Sequence, residues 1–325
     1  MSEMILEVNG LKKHFESGTA FSRHRQTVKA VDGVDFTIKA GETVGLVGES
    51  GCGKTTVGRT VMKLYDPTAG QVLLEGEDIS GYSQNQMKPL RSKIQMIFQD
   101  PFASLNPKQT VGAIISASYE IHGIQPKNGI KSEVKDLLAR VGLNPEHINR
   151  FPHEFSGGQR QRIGIARALA LRPKLIVCDE PVSALDVSIQ AQVVNLLDDL
   201  QSEMGISYLF IAHDLSVVQH ISDRVVVMYL GRVMEEAPTG DLYASPRHPY
   251  TKALLSAVPI PDPREARARE RIMLQGDLPS PANQPSGCFF STRCWKAQDK
   301  CRAVAPEVYE ISPNHKIACH FPEEA

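Results

Sequence analysis

The sequence predicts an α/β fold whose core is a parallel β-sheet covered by helices on both faces. Four short apolar runs carry this prediction, because each is continuous rather than alternating and each ends at a glycine or a polar residue. The runs are Thr43–Val47, Ile94–Phe98, Leu175–Cys178 and Tyr208–Ala212. Such runs are typical of strands that are buried on both faces. In open sheets of this kind the ligand lies at the carboxyl ends of the strands, so we expect the residues that follow the runs to form one site.

Two further parts are expected around this core. Short alternating stretches separated by Gly and Asp, at Ile5–Val8, Val34–Ile38 and Val72–Leu74, predict a small antiparallel β subdomain. Residues 16–30 are interpreted as an insertion within it. Residues 106–172 are expected to form a helical subdomain, in which one helix places four apolar residues on one face: Val134, Leu137, Leu138 and Val141.

Composition and charge narrow the classes of function. The chain has 325 residues, is 42% hydrophobic, and carries 36 Lys and Arg against 37 Asp and Glu. A net charge of -1 provides no overall field for nucleic acid, so no nucleic-acid partner is expected. No apolar run approaches the roughly 18–20 residues that span a bilayer, and the first residues do not resemble a secretory signal. We expect a cytoplasmic protein that reaches a membrane only through a membrane partner.

A phosphate-binding loop is predicted at residues 48–55, which fit G-x-x-x-x-G-K-[ST] and follow the first apolar run. Glycines let the backbone N–H groups point at phosphates, and the following helix adds the positive end of its dipole. Lys54 is expected at the β- and γ-phosphates of ATP, and the Thr55 hydroxyl at Mg²⁺. Cys52 is interpreted as a bystander. The predicted nucleotide-binding residues here are Gly48, Glu49, Ser50, Gly51, Cys52, Gly53, Lys54, Thr55 and Thr56.

A second element for phosphate chemistry is Leu175–Glu180, an apolar run that ends in two acids. Asp179 is placed to hold Mg²⁺ through water, and Glu180 to orient and polarise an attacking water. Surface acids after a strand are common, but their combination with the glycine loop favours an ATPase.

The stretch Phe155-Ser-Gly-Gly-Gln-Arg-Gln-Arg162 places a second anion-binding helix start in the same chain. On these motifs the chain resembles the ATP-binding subunits of ABC transporters, which have a P-loop NTPase core. In that family this stretch closes over the ATP that is held by the glycine loop of a second subunit. The resemblance therefore implies nucleotide contacts from Ser156, Gly157, Gly158 and Gln159. Phe155 departs from the Leu that is usual in the family, and the polar residues are unchanged.

The resemblance also implies roles for single residues. Gln99 matches the glutamine that touches Mg²⁺ and faces the membrane subunit, and Asp186 ends a Ser183–Asp186 loop that links the two ATP sites. His213 matches the histidine at the γ-phosphate, which makes it a catalytic candidate beside Glu180. Phe15 matches the aromatic residue that stacks on adenine, with His14 as a neighbouring alternative that is more simply an exposed histidine.

The last part of the chain narrows the resemblance. Arg247–Thr251, Ala253–Leu255, a proline-rich linker and a cysteine-rich end are similar to the ATPases of dipeptide, oligopeptide and nickel-type importers. The match is closest to the second ATPase subunit of the dipeptide system. We expect an ATPase domain at 1–258, a linker at 259–287 with a charged, helical insert at 264–271, and a cysteine module at 288–325.

The cysteine module contains Cys288, Cys294, Cys301 and Cys319, a spacing that fits neither the usual zinc pattern nor the bacterial ferredoxin run. A cluster of cysteines in a reducing compartment suggests metal ligation before disulfides. The resemblance implies a [4Fe–4S] cluster. Zinc, free thiols and disulfides remain alternatives.

The resemblance to peptide importers implies a set of partners and a cellular location. The partners are a sister or identical ATPase, two membrane-embedded permease subunits and, indirectly, an external peptide-binding protein. The location is the cytoplasmic face of the inner membrane, where the protein would be peripheral. The alternatives are an exporter ATPase, a soluble ABC ATPase unrelated to transport, and a degenerate ATP-binding partner; intact Lys54, Asp179, Glu180 and His213 argue against the last.

Overall fold

The structure, a computed structural model, describes residues 3–17, 26–259 and 271–324. Most of the expected insertion at 16–30 and of the charged insert at 264–271 lies outside these residues. Contacts divide the chain into two compact units. The helical unit comprises Met1–Ile5, Ile38–Glu42 and Gly81–Ile211, and the loop unit comprises Leu6–Thr37, Thr43–Ser80 and Ala212–Ala325.

Strands and helices alternate along much of the chain. The described strands are β1 (Met4–Ser17), β2 (Gln26–Lys39), β3 (Thr43–Val47), β4 (Ala69–Leu74), β5 (Glu77–Asp78), β6 (Ile94–Ile97), β7 (Leu175–Asp179), β8 (Ser207–Ile211), β9 (Arg224–Tyr229), β10 (Arg232–Pro238), β11 (Tyr309–Ser312) and β12 (His315–Ile317). The described helices are α1 (Lys54–Val61), α2 (Gln84–Leu90), α3 (Pro101–Ser104), α4 (Val111–His122), α5 (Ile130–Arg140), α6 (Gly157–Leu169), α7 (Val187–Met204), α8 (Leu215–Ile221), α9 (Thr239–Ala244), α10 (Pro249–Ser256) and α11 (Asp299–Ala303). Two short 3₁₀ turns, Pro145–Asn149 and Pro152–Glu154, precede α6.

The helical unit contains three parallel strands in the order β8-β7-β6. In β7 and β8 all five residues are buried, as expected for strands with helices on both faces. The register pairs Ile97 with Cys178 and Asp179 with Ile211. Three of the four apolar runs thus form neighbouring parallel strands, as predicted, and their carboxyl ends share one edge.

The predicted helical subdomain is also confirmed. Helices α4, α5 and α6 and the two 3₁₀ turns fill residues 111–169. Thr110 caps α4 by accepting a bond from the Ala113 N–H, and Gly123 ends it in the left-handed conformation. The apolar face predicted for α5 is buried at all four positions: Val134, Leu137, Leu138 and Val141.

The loop unit contains two sheets. The first has the order β2-β1-β4-β5, with β1 and β4 antiparallel in a register that pairs Leu6 with Leu74. It confirms the predicted antiparallel subdomain. In the second group of strands, β3 runs parallel to β9, and β9 continues through antiparallel β10 and β12 to β11.

The cysteine-rich end of the chain does not form a compact unit of its own. Strand β12 pairs with β10, and the buried Glu235 carboxylate of β10 lies 2.7 Å from the His315 imidazole of β12. The last part of the chain thus adds two strands, β12 and β11, to the strands of the loop unit that include β9 and β10. Across the described ranges, no helix is both long and apolar enough to cross a bilayer.

Candidate nucleotide-binding site

The phosphate loop follows β3, whose five residues are all buried. Gly48 and Gly53 have φ angles of 150° and 107°, which side-chain-bearing residues rarely adopt. A Cβ atom at Gly48 would lie 2.2 Å from the Met228 carbonyl oxygen, and one at Gly53 would lie 2.1 Å from the Ala30 carbonyl oxygen. Both glycines are thus required by backbone conformation and by close backbone neighbours.

Helix α1 begins at Lys54, and no side chain caps its N-terminus. The positive end of the helix dipole favours an anion at this position. The Lys54 side chain is buried, and its ammonium donates to the carbonyl oxygens of Gly48 at 2.7 Å and Glu49 at 3.1 Å. This holds a positive charge inside the curve of the loop. Burial raises the pKa of the Cys52 thiol, so Cys52 is a neutral packing residue.

Two residues that sequence reasoning missed hold the second position of the loop. The Glu49 N–H donates to the Tyr250 hydroxyl at 2.9 Å, and the Glu49 carboxylate pairs with the Arg293 guanidinium at 2.7 Å. Tyr250 belongs to the His-Pro-Tyr stretch that carried the importer resemblance, which was the available signal. Arg293 stands beside Cys294, and no local pattern pointed to it.

The two acids at the end of β7 lie where the sequence placed them. Asp179 is the last residue of the strand and is fully buried, and Glu180 follows with a φ of 47°. The Glu180 N–H donates to the Ile211 carbonyl at 2.9 Å, and the Gln99 side-chain amide donates to the Glu180 carboxylate at 2.8 Å. The structure therefore joins Gln99, which follows β6, to the candidate base.

The Ser-Gly-Gly-Gln stretch forms a capped helix start. The Gln159 N–H donates to Ser156 Oγ at 3.4 Å, and the Ser156 N–H donates to Gln159 Oε1 at 3.0 Å, which is a capping box. A Cβ at Gly158 would lie 2.5 Å from Ile189 Cγ2, so this glycine lets α6 approach α7. The atypical Phe155 is buried, and its ring meets the His147 ring edge-on at 5.8 Å. Phe155 therefore packs inside and leaves the polar stretch exposed.

The Ser183–Asp186 loop joins Glu180 to α7. The Ser183 hydroxyl donates to the Glu180 carbonyl at 3.2 Å, and the Gln190 amide donates to the Val182 and Leu185 carbonyls. Asp186 is exposed at the N-terminus of α7 without capping it. The loop is thus held internally while Asp186 faces outward.

His213 and Phe15 both lie in the loop unit. His213 is exposed and follows Ala212, whose N–H donates at 3.2 Å to the Leu46 carbonyl of β3. Phe15 is half-buried on β1 and meets the Tyr65 ring edge-on at 5.5 Å. His14 is not the ordinary exposed histidine that we expected: it is half-buried, and its imidazole lies 3.1 Å from the buried Asp32 carboxylate.

Four cysteines lie around a single cavity near the end of the chain. The cavity is lined by Cys288, Cys294, Cys301 and Cys319. Burial raises the pKa of Cys288 to about 11 and that of Cys319 to about 12, and the neighbouring cysteines act in the same direction. Among residues 3–17, 26–259 and 271–324, no three His, Cys, Asp or Glu side chains are placed to hold a single metal ion.

A glycine loop that leads into an uncapped helix, a strand that ends in Asp-Glu and a Ser-Gly-Gly-Gln helix start together define an ATP-binding cassette. The chain belongs to the ATP-binding proteins of ABC transporters, which couple ATP hydrolysis to transport. The sequence family described as "ABC transporter" matches residues 31–183, and "Oligopeptide/dipeptide transporter, C-terminal region" matches residues 234–301.

Individual relatives match over nearly the whole chain. The oligopeptide transport ATP-binding protein AppF of Bacillus subtilis (strain 168) is 58% identical, with 98% of each chain covered. The putative oligopeptide transport ATP-binding protein YkfD of the same organism is 57% identical, covering 98% of this chain and 95% of its own.

Solved structures support the same class. The dimeric ATP-binding cassette MJ0796 in a post-hydrolysis state with ADP and Pi has a TM-score of 0.65 at 27% identity, covering 72% of this chain and 99% of its own. CbiO1 from Clostridium perfringens, part of the transporter complex cbiONQ, has a TM-score of 0.64 at 30% identity, covering 74% of this chain and 91% of its own.

Proposed function

We propose that this chain is the ATP-hydrolysing subunit of an importer for dipeptides or oligopeptides. The observation that carries the proposal is the near-complete match to oligopeptide transport ATP-binding proteins, joined to the peptide-transporter region at residues 234–301. That region contains His248, which caps α10, and Tyr250, which bonds the phosphate loop. The region that matches the oligopeptide/dipeptide transporter family thus contacts the ATP loop directly.

In the proposed mechanism, ATP lies between the 48–56 loop of one subunit and the Ser156–Gln159 helix start of a second, sister or identical, ATPase. The uncapped N-terminus of α1 and the Lys54 ammonium bind the phosphates. The Ser156–Gln159 helix start of the partner adds a second positive helix end beside the same nucleotide. ATP thereby draws the two subunits together, and hydrolysis lets them separate.

Hydrolysis is assigned to Glu180 as the residue that orients and polarises water, with His213 at the γ-phosphate. The bond from Gln99 fixes the direction of the Glu180 carboxylate. Mg²⁺ is assigned to oxygen donors on Thr55, Gln99 and Asp179, the ligand type that this ion prefers. Bound Mg²⁺ would neutralise charge that develops on the phosphates. Phe15 is assigned to the adenine.

The partners of this subunit would be two permease subunits in the inner membrane and, outside it, a peptide-binding protein. The 100–107 segment after Gln99 is proposed as the permease contact. Phe102 supports this, because its side chain is 63% exposed on a short helix capped by Asp100. The subunit would be peripheral on the cytoplasmic face, with the division at 1–258, 259–287 and 288–325 as the working domain scheme.

We also propose that the four cysteines hold a [4Fe–4S] cluster. Their common cavity supports a shared ligand, and Cys₄ sets are the usual ligands of such clusters. Zinc is the alternative ligand, since four thiolates also bind Zn²⁺. Iron, acid-labile sulfide and zinc measured after anaerobic purification decide between them.

The test of the function is uptake by the complete complex. Wild-type and Glu180→Gln subunits are reconstituted with the permeases and binding protein in vesicles, and labelled di- and oligopeptides are supplied on the binding-protein side. ATP-dependent accumulation with the wild type alone supports the proposal. Outward movement of peptide would favour an exporter, and ATPase activity that is independent of the permeases and of any peptide would favour a soluble ABC ATPase.

A further inference from the structure

Glu49 of the ATP loop binds two residues from the C-terminal part of the chain, Tyr250 and Arg293. Its backbone N–H donates to the Tyr250 hydroxyl at 2.9 Å, and its carboxylate accepts from Arg293 Nη1 at 2.7 Å. The loop is therefore held at its second residue through both the main chain and the side chain. Neither partner belongs to the motifs that bind phosphate or activate water.

The ion pair has the features of a strong one. The side chains of Arg293 and Glu49 are only 10% and 26% exposed, so water screens their attraction weakly. The guanidinium also lies 6.0 Å from the centre of the Tyr229 ring, which favours a cation at that place. The short distance and the low exposure together indicate that the ion pair holds Arg293 and Glu49 in a fixed arrangement.

Glu49 in turn contacts Lys54, the predicted phosphate-binding lysine. The Lys54 ammonium donates to the Glu49 carbonyl at 3.1 Å as well as to the Gly48 carbonyl at 2.7 Å. A tilt of the Glu49 peptide therefore moves an acceptor of Lys54. A shift of Arg293 would thus move Glu49, and through Glu49 the Lys54 ammonium that is expected at the phosphates.

Arg293 is part of the cysteine-lined segment. Its N–H donates to the Phe290 carbonyl at 3.0 Å, in a turn between Cys288 and Cys294. The Phe290 ring is fully buried and packs 5.3 Å from Tyr250 and 5.4 Å from Tyr229. The same short turn therefore carries two cavity-lining cysteines and Arg293, and its Phe290 ring packs on Tyr250, the other anchor of Glu49.

We propose that Arg293 is a positioning residue for the ATP loop, and that occupancy of the cysteine cavity sets ATP affinity through the Arg293–Glu49 pair. The second part rests on the proposed role of the cysteines as ligands. A ligand bound by Cys288 and Cys294 restricts the movement of the turn between them. It thereby keeps the Arg293 guanidinium in contact with the Glu49 carboxylate. Linkage makes the coupling reciprocal: ATP stabilises the ligand in the cavity by the same factor.

The experiment measures the dissociation constant of a fluorescent ATP analogue with the full chain. Wild type, Arg293→Gln, Arg293→Lys and the control Arg302→Gln are each purified without oxygen and compared before and after their iron is stripped. Arg302 lies in the same region, but its side chain is 68% exposed and pairs with a fully exposed Asp299. Thermal unfolding of every sample confirms that it is folded.

We expect stripping to weaken ATP binding by the wild type and by Arg302→Gln about tenfold, within the usual range of coupling. Arg293→Gln is expected to bind weakly in both states, and Arg293→Lys to recover part of the affinity of the loaded protein. Tight binding by loaded Arg293→Gln would overturn the positioning role. A loaded-to-stripped difference that persists in Arg293→Gln would overturn the coupling through this pair.

The two proposals fail in different ways. If the anaerobically purified protein holds neither iron nor zinc, the cofactor proposal is wrong and the coupling is wrong with it. The affinity of Arg293→Gln relative to Arg302→Gln still decides the positioning role, because that comparison requires no metal.

Discussion

The side-chain amide of Gln99 donates a 2.8 Å hydrogen bond to the carboxylate of Glu180, and the two residues follow neighbouring parallel strands. Glu180 also has a left-handed φ of 47°, which is costly for a residue with a side chain. Strain of this kind is concentrated at functional sites. The pair therefore presents a carboxylate whose backbone and side chain are both held in place.

The first prediction is that Glu180→Gln greatly slows steady-state ATP hydrolysis while ATP still binds. The amide keeps the shape of the side chain but no longer accepts a proton, so the rate falls by the general-base contribution of about 10²–10⁴. Phosphate release and nucleotide affinity are measured in the assembled complex. The exposed Glu120 on α4 offers a control, since Glu120→Gln is expected to behave as wild type. Full hydrolysis by Glu180→Gln would remove Glu180 from the catalytic role.

The second prediction separates positioning from binding. Gln99→Ala deletes the hydrogen bond that orients Glu180, so kcat is expected to fall about tenfold, equivalent to about 1.4 kcal/mol. The KM for ATP, measured at saturating Mg²⁺, should change less. Gln99→Glu is expected to lower kcat further, because a second carboxylate then faces Glu180. A change confined to KM would mean that Gln99 acts on nucleotide binding alone.

Sequence and structure agree where the cause is local. Continuous apolar runs predicted β6, β7 and β8 because burial on both faces leaves a recognisable pattern. The Ser156 cap and the glycines of the phosphate loop were visible because their conformations demand particular residues. Contacts distant in sequence were not visible: Glu49 and Arg293 are 244 positions apart. No spacing rule predicts that pair, nor the addition of β12 to β10.

The third prediction concerns Gly53. Gly53→Ala forces a Cβ to within 2.1 Å of the Ala30 carbonyl oxygen at a φ of 107°, so loop and strand must separate. We expect loss of ATP binding and a destabilisation of about 3 kcal/mol or more, the sum of strain and steric displacement. Gly41 is the matched control, with a φ of 72° and open space around its Cβ. Gly41→Ala should cost about 1 kcal/mol and leave ATP binding intact. Equal melting temperatures of the two variants would contradict the steric argument.

The fourth prediction concerns pH. Burial lowers the pKa of His248 from 6.5 to about 4, although the nearby Glu235 acts in the opposite direction. Between pH 6.5 and about 4, His248 is therefore protonated in the unfolded chain but stays neutral in the folded chain. The stability that depends on neutral His248 is complete above pH 6.5 and is lost as the pH falls, by about 2 kcal/mol at pH 5.

His248→Asn tests this shift directly. In the wild type, the Tyr250 N–H donates to His248 Nδ1 at 3.0 Å. Asn also offers an acceptor to this N–H, but its side chain does not titrate. Urea unfolding at pH 7.5 and pH 5 should show a larger loss of stability in the wild type than in the variant. Equal losses would mean that His248 is protonated normally in the folded protein.

The fifth prediction is that Ser156→Arg prevents ATP-driven association without preventing ATP binding. Ser156 is exposed at the start of α6 and belongs to a different compact unit from the phosphate loop. In the Glu180→Gln background, ATP is expected to accumulate a dimer, since hydrolysis no longer releases it. Adding Ser156→Arg places a long side chain where the partner's ATP must dock, and the dimer should disappear from light scattering.

Ser156→Ala is the control for the lost cap, which costs about 1 kcal/mol of helix stability and leaves the surface open. ATP affinity of the monomer should be equal in all three. A dimer that survives Ser156→Arg would show that the Ser-Gly-Gly-Gln end does not close over the partner's nucleotide.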